Sequence, residues 1–241
     1  MKVLELFSGT GSVGKIFKER NHTVVSLDLK DADINCNILD WDYKKFNPGE
    51  FDYIHASPPC DTFSHCRKCY FGRALRAHNP DWSIPDEQKI KFSEEIFQAD
   101  QLKIGIPILN KTLEIIKYLK PKFYTIENPQ TGDMKKYIDL SYNDVTYCKY
   151  GFPYRKITRV WHNLEKWKPK PICTPKSICE NVVNIDNHIH HHKSCAYKKS
   201  TADRRRRHKE TVQSIIGGST RKDERYRIPP ELVKEWENAM K

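Results

Sequence analysis

The chain has 241 residues, 38% of them hydrophobic, which is ample for one domain of ordinary size with a small appendage. No apolar run of about 18 residues is present, so we expect no transmembrane helix. The chain starts with a strand-like segment that carries an acid, so we expect no signal peptide and an intracellular location. The formal net charge of +11 favours a polyanionic partner, nucleic acid first, over a merely soluble basic protein, and the 8 cysteines are expected to be reduced.

The first predicted element is a strand over residues 3–7, which carries Glu5 and leads into a glycine-rich turn. Residues 8–14 fit G-x-G-x-x-G, and helical spacing follows as far as Arg20. Strand, glycine turn and helix in this order are typical of a cofactor site, because glycines let backbone approach a ligand and the helix start offers free N–H groups. Two cofactors stay open here: a dinucleotide, or S-adenosylmethionine, whose ammonium would benefit from Glu5.

A second strand over residues 23–27 is predicted to end at Asp28, where a carboxylate can accept hydrogen bonds from both ribose hydroxyls. Residues 33–40 indicate a third short strand and its exit. Asn37 or Asp40 is a candidate for the adenine amino group, and Ile38 for packing on the adenine ring. The alternative for both polar residues is that they only cap the turn.

The central feature of the sequence is the segment from Phe51 to Cys60. Its apolar half suits a buried parallel strand, and Pro58 and Pro59 must end that strand because proline cannot donate to a sheet ladder. Cys60 is therefore expected at the carboxyl edge of the sheet, where open α/β folds build their sites. A thiol there is a candidate nucleophile, although an inert buried cysteine is the more common outcome for an isolated motif.

A basic stretch without periodicity follows Cys60 as far as about residue 85. Arg67, Arg73 and Arg76 in this stretch are candidates for phosphate contacts, the alternative being a solvated surface loop. Residues 100–119 predict a long helix, kinked or started late at Pro107, with one apolar face. That face comprises Leu102, Ile106, Leu109, Leu113 and Ile116.

A strand over residues 122–126 precedes Glu127-Asn128-Pro129, which is again a strand cut by proline that leaves polar groups at the sheet edge. Glu127 near Cys60 could meet a ring nitrogen of a substrate, and its alternative is a surface acid or helix cap. Two further strands are predicted over residues 144–148 and 158–161. Arg155 and Lys156 between them are further candidates for DNA contacts.

Beyond Trp167 the composition changes to a basic region with few apolar residues, from residue 168 to 227. Its arginine run is a candidate phosphate-binding patch, made of Arg204, Arg205, Arg206 and Arg207. Its cysteines match no standard zinc spacing, so no metal is predicted, and the weak candidates for zinc are Cys173, Cys179, Cys195 and His192. A last amphipathic helix beginning near Pro229 is expected to pack Leu232, Trp236 and Ala239 on the main domain.

Together these motifs resemble the DNA (cytosine-5) methyltransferase family, especially its short phage-type members. Residues 6–11 look like the cofactor motif of that family, Pro58-Pro59-Cys60 like its nucleophile motif, and Glu127-Asn128-Pro129 like its Glu-Asn motif. Arg159-Val160-Trp161 is similar to the end of its basic strand motif. Two positions depart from the pattern: Ile157 stands where an Arg is expected, so that Arg155 or Lys156 would substitute, and Asn37 stands where an Asp is common.

The resemblance implies an α/β, Rossmann-like fold with a mostly parallel seven-stranded sheet, and S-adenosylmethionine as the cofactor. The implied units are a catalytic domain (1–167), a small basic DNA-recognition region (168–227) and a closing helix (228–241). Cys60, Glu127, Asn128 and Arg159 would be catalytic, acting on a cytosine rotated out of duplex DNA. The implied cofactor residues are Glu5, Phe7, Ser8, Gly9, Gly11, Asp28, Leu29, Asn37, Ile38 and Pro59.

The implied reaction is addition of the Cys60 thiolate to carbon 6 of cytosine, after which carbon 5 accepts the methyl group. Glu127 would protonate ring nitrogen 3, Asn128 would fix Glu127, and Arg159 would bind the carbonyl oxygen at carbon 2. The alternatives are the same mechanism on RNA cytosine, another carbon-5 modification, or a catalytically silent DNA-binding protein. A dehydrogenase fits least, because Pro-Pro-Cys and Glu-Asn-Pro have no role in hydride transfer.

Overall fold

A computed structural model of the protein describes residues 1–174, 179–180, 182–185, 188–191, 224 and 226–241. Seven strands form one sheet in the order β3-β2-β1-β4-β5-β7-β6. They are β1 (Lys2–Leu6), β2 (Thr23–Asp28), β3 (Ile34–Asn35), β4 (Tyr53–Ala56), β5 (Phe123–Pro129), β6 (Tyr142–Thr146) and β7 (Ile157–His162). The first five pair in parallel and β7 runs antiparallel to both β5 and β6, which confirms the predicted mostly parallel sheet.

The sheet separates two apolar cores, because successive side chains of a strand point to opposite faces. Val3 and Tyr53 belong to one core, while their neighbours Leu4 and Ile54 belong to the other. The first core includes side chains of α1 (Ser12–Glu19) and α4 (Pro230–Ala239), and the second those of α3 (Ile106–Leu119). The helices thus cover the two faces of the sheet. The edge formed by the carboxyl ends of the parallel strands is where a site can be built.

The closing helix α4 packs as predicted. Leu232 and Trp236 are fully buried, and Ala239 is partly buried against the same core. Trp236 stacks on His55 of β4, with ring centroids 5.5 Å apart, and makes an edge contact with Trp167. Helix α4 therefore covers the central strands from one face.

The long helix differs from its prediction over residues 100–119. A helix α2 (Glu94–Asp100) comes first, a wide π turn over Gln101–Gly105 follows, and α3 starts only at Ile106, with Pro107 in its first turn. Proline lacks an amide hydrogen and clashes with the preceding turn, and a π turn is one way for a helix to accommodate it. The wide turn changes the phase of the helix, so Leu102 is 66% exposed and its predicted place on the buried face is wrong.

Strand β5 runs further than predicted, through Glu127-Asn128-Pro129, because β7 continues the ladder there with Val160, Arg159 and Thr158. A small hairpin of β8 (Val182–Ile185) and β9 (His188–His191) belongs to the basic region. Cys195, His192 and the arginine run 204–207 lie outside the described residues, and the predicted division into three units stays a prediction. Within the part of the chain that is described, no helix is both long and apolar enough to cross a bilayer.

Candidate active site

The glycine turn after β1 is held in unusual backbone conformations. Phe7, Gly9 and Gly11 all have positive φ angles, of 58°, 50° and 64°, and Gly11 is the N-cap of α1. A positive φ is costly for a residue with a side chain, so Phe7 marks a strained position of the kind that clusters at functional sites. The turn thereby folds its backbone tightly over the end of β1.

Glu5 is buried below this turn and caps the helix that follows it. Its carboxylate accepts hydrogen bonds from the amides of Val13 and Gly14, at 3.1 and 3.0 Å. Burial raises the pKa of Glu5 to about 7, although the two amides oppose that rise. A Cβ atom on Gly14 would clash with this carboxylate, which explains why the third glycine of the motif is needed.

Asp28 ends β2 beside the turn, as predicted. One carboxylate oxygen accepts from the amide of Gly9 at 2.8 Å and the other from the amide of Leu29 at 2.7 Å. Each oxygen keeps a lone pair for a further donor. Further along, Ile38 is buried, while the Asn37 side chain accepts from the amide of Leu39 at 3.1 Å, as the capping alternative proposed.

Cys60 and Glu127 are brought together by the register of β4 and β5. Ala56 pairs with Ile126, so the two proline-cut segments leave the sheet side by side. The buried Asn128 amide donates to the carbonyl of Pro58 at 2.8 Å, and this bond ties the two segments together. The other polar atom of Asn128, Oδ1, is buried without a hydrogen bond among the described residues.

Two groups surround the Glu127 carboxylate, which is only 6% exposed. The Tyr147 hydroxyl donates to its Oε1 atom at 3.0 Å, and the Lys156 ammonium lies 3.3 Å from the same atom. Lys156 also lies over the Tyr147 ring, 4.7 Å from its centroid. Glu127 is therefore oriented by a hydroxyl and neutralised by one cation.

The Cys60 thiol is mostly buried in the same place. Burial raises its pKa to about 11, and the positive charge of Lys156 opposes that rise. A thiol with so high a pKa is a weak nucleophile by itself, since the thiolate is the reactive form. Its reactivity thus depends on a group that stabilises the thiolate or accepts its proton.

One cavity of about 290 Å³ connects these groups with the glycine turn. Its lining includes nearly all predicted catalytic and cofactor residues, namely Glu5, Phe7, Ser8, Gly9, Asp28, Leu29, Asn37, Ile38, Pro59, Cys60, Glu127 and Asn128. Gly11 is not in that lining and instead faces a neighbouring cleft. The structure thus places the predicted nucleophile, acid and cofactor turn around a single space.

Arg159 is the predicted catalytic residue that the structure does not bring to this cavity. Its guanidinium makes a two-pronged ion pair with Asp144 of β6, at 2.7 and 2.9 Å, and its head group lies 3.6 Å from the ring centroid of Tyr142. Lys156 lines the cavity instead. The resemblance favours Arg159 as the catalytic cation and gives Lys156 as a DNA contact, and it is the pairing of β6 with β7 that puts Arg159 beside Asp144.

The basic stretch after Cys60 is anchored rather than loose. Arg67 pairs with Asp100 at 2.9 Å and lies over the Phe92 ring, so its charge is already engaged. Arg73 and Arg76 are exposed, over the rings of Tyr70 and Trp82. Arg155 is exposed as well, with its Nε donating to the carbonyl of Cys173 at 2.9 Å.

A buried carboxylate, Asp133, fixes the first turn of that stretch. It accepts from His65 at 2.9 Å, from Gln101 of the π turn at 3.0 Å and from Lys136 at 2.8 Å. Burial alone would raise the pKa of Asp133, but these hydrogen bonds outweigh it and hold the pKa well below the ordinary value. Gly105 adds to the anchoring, because a Cβ atom there would clash with Phe63.

Two contributors to the site are missing from the sequence prediction. His55 lines the cavity and bonds to the hydroxyls of Thr125 and Ser57, at 2.7 and 2.9 Å, and burial lowers its pKa to about 4. Tyr147 orients Glu127. His55 and Tyr147 both lie on predicted strands, so the alternation of apolar and polar residues could have indicated that they are buried. Only the order of the strands in the sheet shows which buried residues reach the site.

Comparison with known proteins adds an independent finding. A probable DNA (cytosine-5)-methyltransferase of frog virus 3 (isolate Goorha) is 36% identical over 243 residues, which span 98% of each protein. No protein-family model matches the chain. A putative DNA modification methyltransferase encoded within an E. coli prophage is a solved structure with 16% identity and a TM-score of 0.41, over 72% of this chain and 52% of that one.

A second solved structure, the Entamoeba histolytica methyltransferase EhMeth, is 17% identical with a TM-score of 0.42, over 70% of this chain and 55% of that one. This chain spans about half the length of both solved structures.

Proposed function

The chain belongs to the DNA (cytosine-5) methyltransferase family, and we propose that it transfers a methyl group from S-adenosylmethionine to carbon 5 of cytosine in DNA. The observation that carries the proposal is the single cavity lined by the Cys60 thiol, the Glu127 carboxylate, the glycine turn and Asp28. A base inside a duplex cannot reach a thiol within such a cavity, so the target cytosine must rotate out of the stack.

The residues at the glycine turn fit S-adenosylmethionine better than a dinucleotide. A pyrophosphate would need the free amides at the start of α1, and Glu5 already accepts from two of them. The same acid suits the ammonium of the methionine moiety, while Asp28 has lone pairs for the ribose hydroxyls and Ile38 an apolar surface for the adenine. When bound, the cofactor supplies an electrophilic methyl group on a sulfonium.

In the proposed mechanism Cys60 forms a bond to carbon 6 of the cytosine, and the displaced electron pair makes carbon 5 nucleophilic. Glu127, in its protonated form, donates a proton to ring nitrogen 3, and this proton neutralises the negative charge of the adduct. After carbon 5 is methylated, its proton passes to water and ring nitrogen 3 returns its proton to the Glu127 carboxylate. The double bond between carbons 5 and 6 forms again, and Cys60 leaves as a thiolate. Through its hydrogen bond to the carbonyl of Pro58, Asn128 holds the Cys60 and Glu127 segments together during these steps.

Lys156 takes the electrostatic role that the resemblance assigns to Arg159. It is the cation that lies against Glu127 and opposes the high pKa of Cys60, whereas Arg159 is held by Asp144. A positive charge at this place stabilises both the thiolate before attack and the negative charge that develops on the ring. We assign the outer phosphate contacts to Arg73 and Arg76, which are exposed in the basic stretch after Cys60.

The test is methyl transfer from tritiated S-adenosylmethionine to duplex DNA and to RNA of the same sequence, with the product base identified by mass. We expect 5-methylcytosine in DNA, loss of activity in Cys60→Ser, and retained activity in Cys66→Ser, whose cysteine is exposed in the same loop. Transfer to RNA alone, or full activity of Cys60→Ser, would overturn the proposal.

A further inference from the structure

A cluster of sulfur atoms lies outside the lining of the catalytic cavity. Cys148, Cys173 and Cys179 are all buried, and their Sγ atoms lie within 4.8 Å of one another. Cys148 sits in the short helical turn Tyr147–Tyr150 that follows β6, and the other two come from the start of the basic region. Three thiols from two separate parts of the sequence thus converge on one point.

The backbone around this cluster is fixed by hydrogen bonds. The amide of Cys173 donates to the Thr146 hydroxyl at 2.9 Å, and its carbonyl accepts from Arg155 at 2.9 Å. Thr146 is the last residue of β6, and Arg155 lies between β6 and β7. Cys173 is therefore held against the edge of the main sheet, and its position is set before any ligand arrives.

We propose that Cys148, Cys173 and Cys179 bind one zinc ion. Zinc bonds to thiolates at about 2.3 Å in tetrahedral geometry, which places ligand sulfurs about 3.8 Å apart. This spacing is compatible with three Sγ atoms that lie within 4.8 Å of one another. Three soft sulfur ligands favour zinc over magnesium or calcium, which prefer oxygen. A disulfide would use only two of the three thiols and leave the third buried beside it. Zinc takes a fourth ligand, either water or another side chain.

The ion would stabilise the part of the chain that holds these cysteines. Among the described residues, the apolar cluster here consists of the three cysteines and the partly buried Val182. So small a core cannot hold a region in place by burial alone, and metal binding is a common substitute. Cys148 directly follows Tyr147, the residue that orients Glu127. A zinc ion would therefore fasten the start of the basic region to the back of the catalytic cavity.

The test uses the full-length protein and does not depend on methyl transfer. We expect elemental analysis to find about one zinc per chain, and cobalt substitution to give the strong absorption of tetrahedral thiolate coordination. Cys179→Ser should lose most of the metal, while Cys66→Ser, whose thiol is exposed, should keep it.

Zinc content that is unchanged in Cys179→Ser would overturn the proposal. So would a wild-type protein that takes up neither zinc nor cobalt, a result that does not require any variant to fold. Alkylation of all three cysteines in the native, zinc-treated protein would contradict it as well, because thiolates bound to zinc are protected.

Discussion

Replacing Lys156 by methionine is expected to make Cys60 harder to ionise. Burial places the pKa of Cys60 at about 11, so at about pH 8 roughly one thiol in a thousand is a thiolate. An opposite charge nearby typically moves a pKa by roughly 1–3. The lower end applies to Lys156, because the Glu127 carboxylate 3.3 Å away neutralises part of its charge. The thiolate fraction should therefore fall about tenfold in Lys156→Met.

The assay is alkylation of Cys60 by iodoacetamide as a function of pH, followed on the Cys60 peptide by mass spectrometry. The rate follows the thiolate fraction, so the profile of Lys156→Met should lie at higher pH than that of the wild type. Lys156→Arg should restore most of the rate. Lys122→Met is the matched control, since Lys122 is exposed next to the opposite end of β5. Identical profiles for Lys156→Met and Lys122→Met would refute the electrostatic reasoning.

Three further predictions concern stability. Because burial raises the pKa of Glu5 from 4.5 to about 7, the stability that this group contributes is full below about pH 4.5 and falls by up to about 3 kcal/mol as the pH rises through about 7. Urea unfolding should show this fall in the wild type and a smaller one in Glu5→Gln; equal falls would contradict it. Asp133→Asn should cost roughly 2–4 kcal/mol and speed hydrogen exchange over residues 61–70, because three donors lose a charged acceptor. The contribution of Asp133 to the free energy of unfolding is present above about pH 3.8 and lost as the pH falls. Equal stabilities of Asp133→Asn and the wild type at neutral pH would refute this prediction. Trp236→Ala should lower the free energy of unfolding by about 3–5 kcal/mol, whereas Trp82→Ala should lower it by less than about 1 kcal/mol. Equal melting temperatures of the two variants would contradict the packing of α4 on the main domain.

The strands and their order along the chain could be predicted because local patterns specify them. Pro58 and Pro59 end β4 because proline has no amide hydrogen for the sheet, and the glycine turn indicates where α1 begins. The meeting of Cys60 with Glu127 also follows from sequence, since parallel strands end at one edge of the sheet. These features follow either from local sequence or from the general rule for parallel sheets.

Other features depend on contacts between distant segments. Nothing near Arg159 in the sequence indicates that Asp144 will pair with it, because that pairing arises from the antiparallel register of β6 and β7. The π turn over Gln101–Gly105 rotates the residues before it relative to the apolar face of α3, so Leu102 is exposed. The spacing of apolar residues in the sequence does not indicate this turn. Cys148 joins the two later cysteines only through the fold, and its spacing from them matches no standard zinc motif.

The most direct test of the central claim is covalent trapping on duplex DNA that contains 5-fluorocytosine. A fluorine at carbon 5 cannot leave as a proton does, so the bond between Cys60 and carbon 6 should persist after methyl transfer. We predict a DNA adduct mapped to the Cys60 peptide that requires S-adenosylmethionine, is absent in Cys60→Ser and is greatly reduced in Glu127→Gln. Methylation of unmodified DNA without any such adduct, or an adduct on another cysteine, would contradict the account.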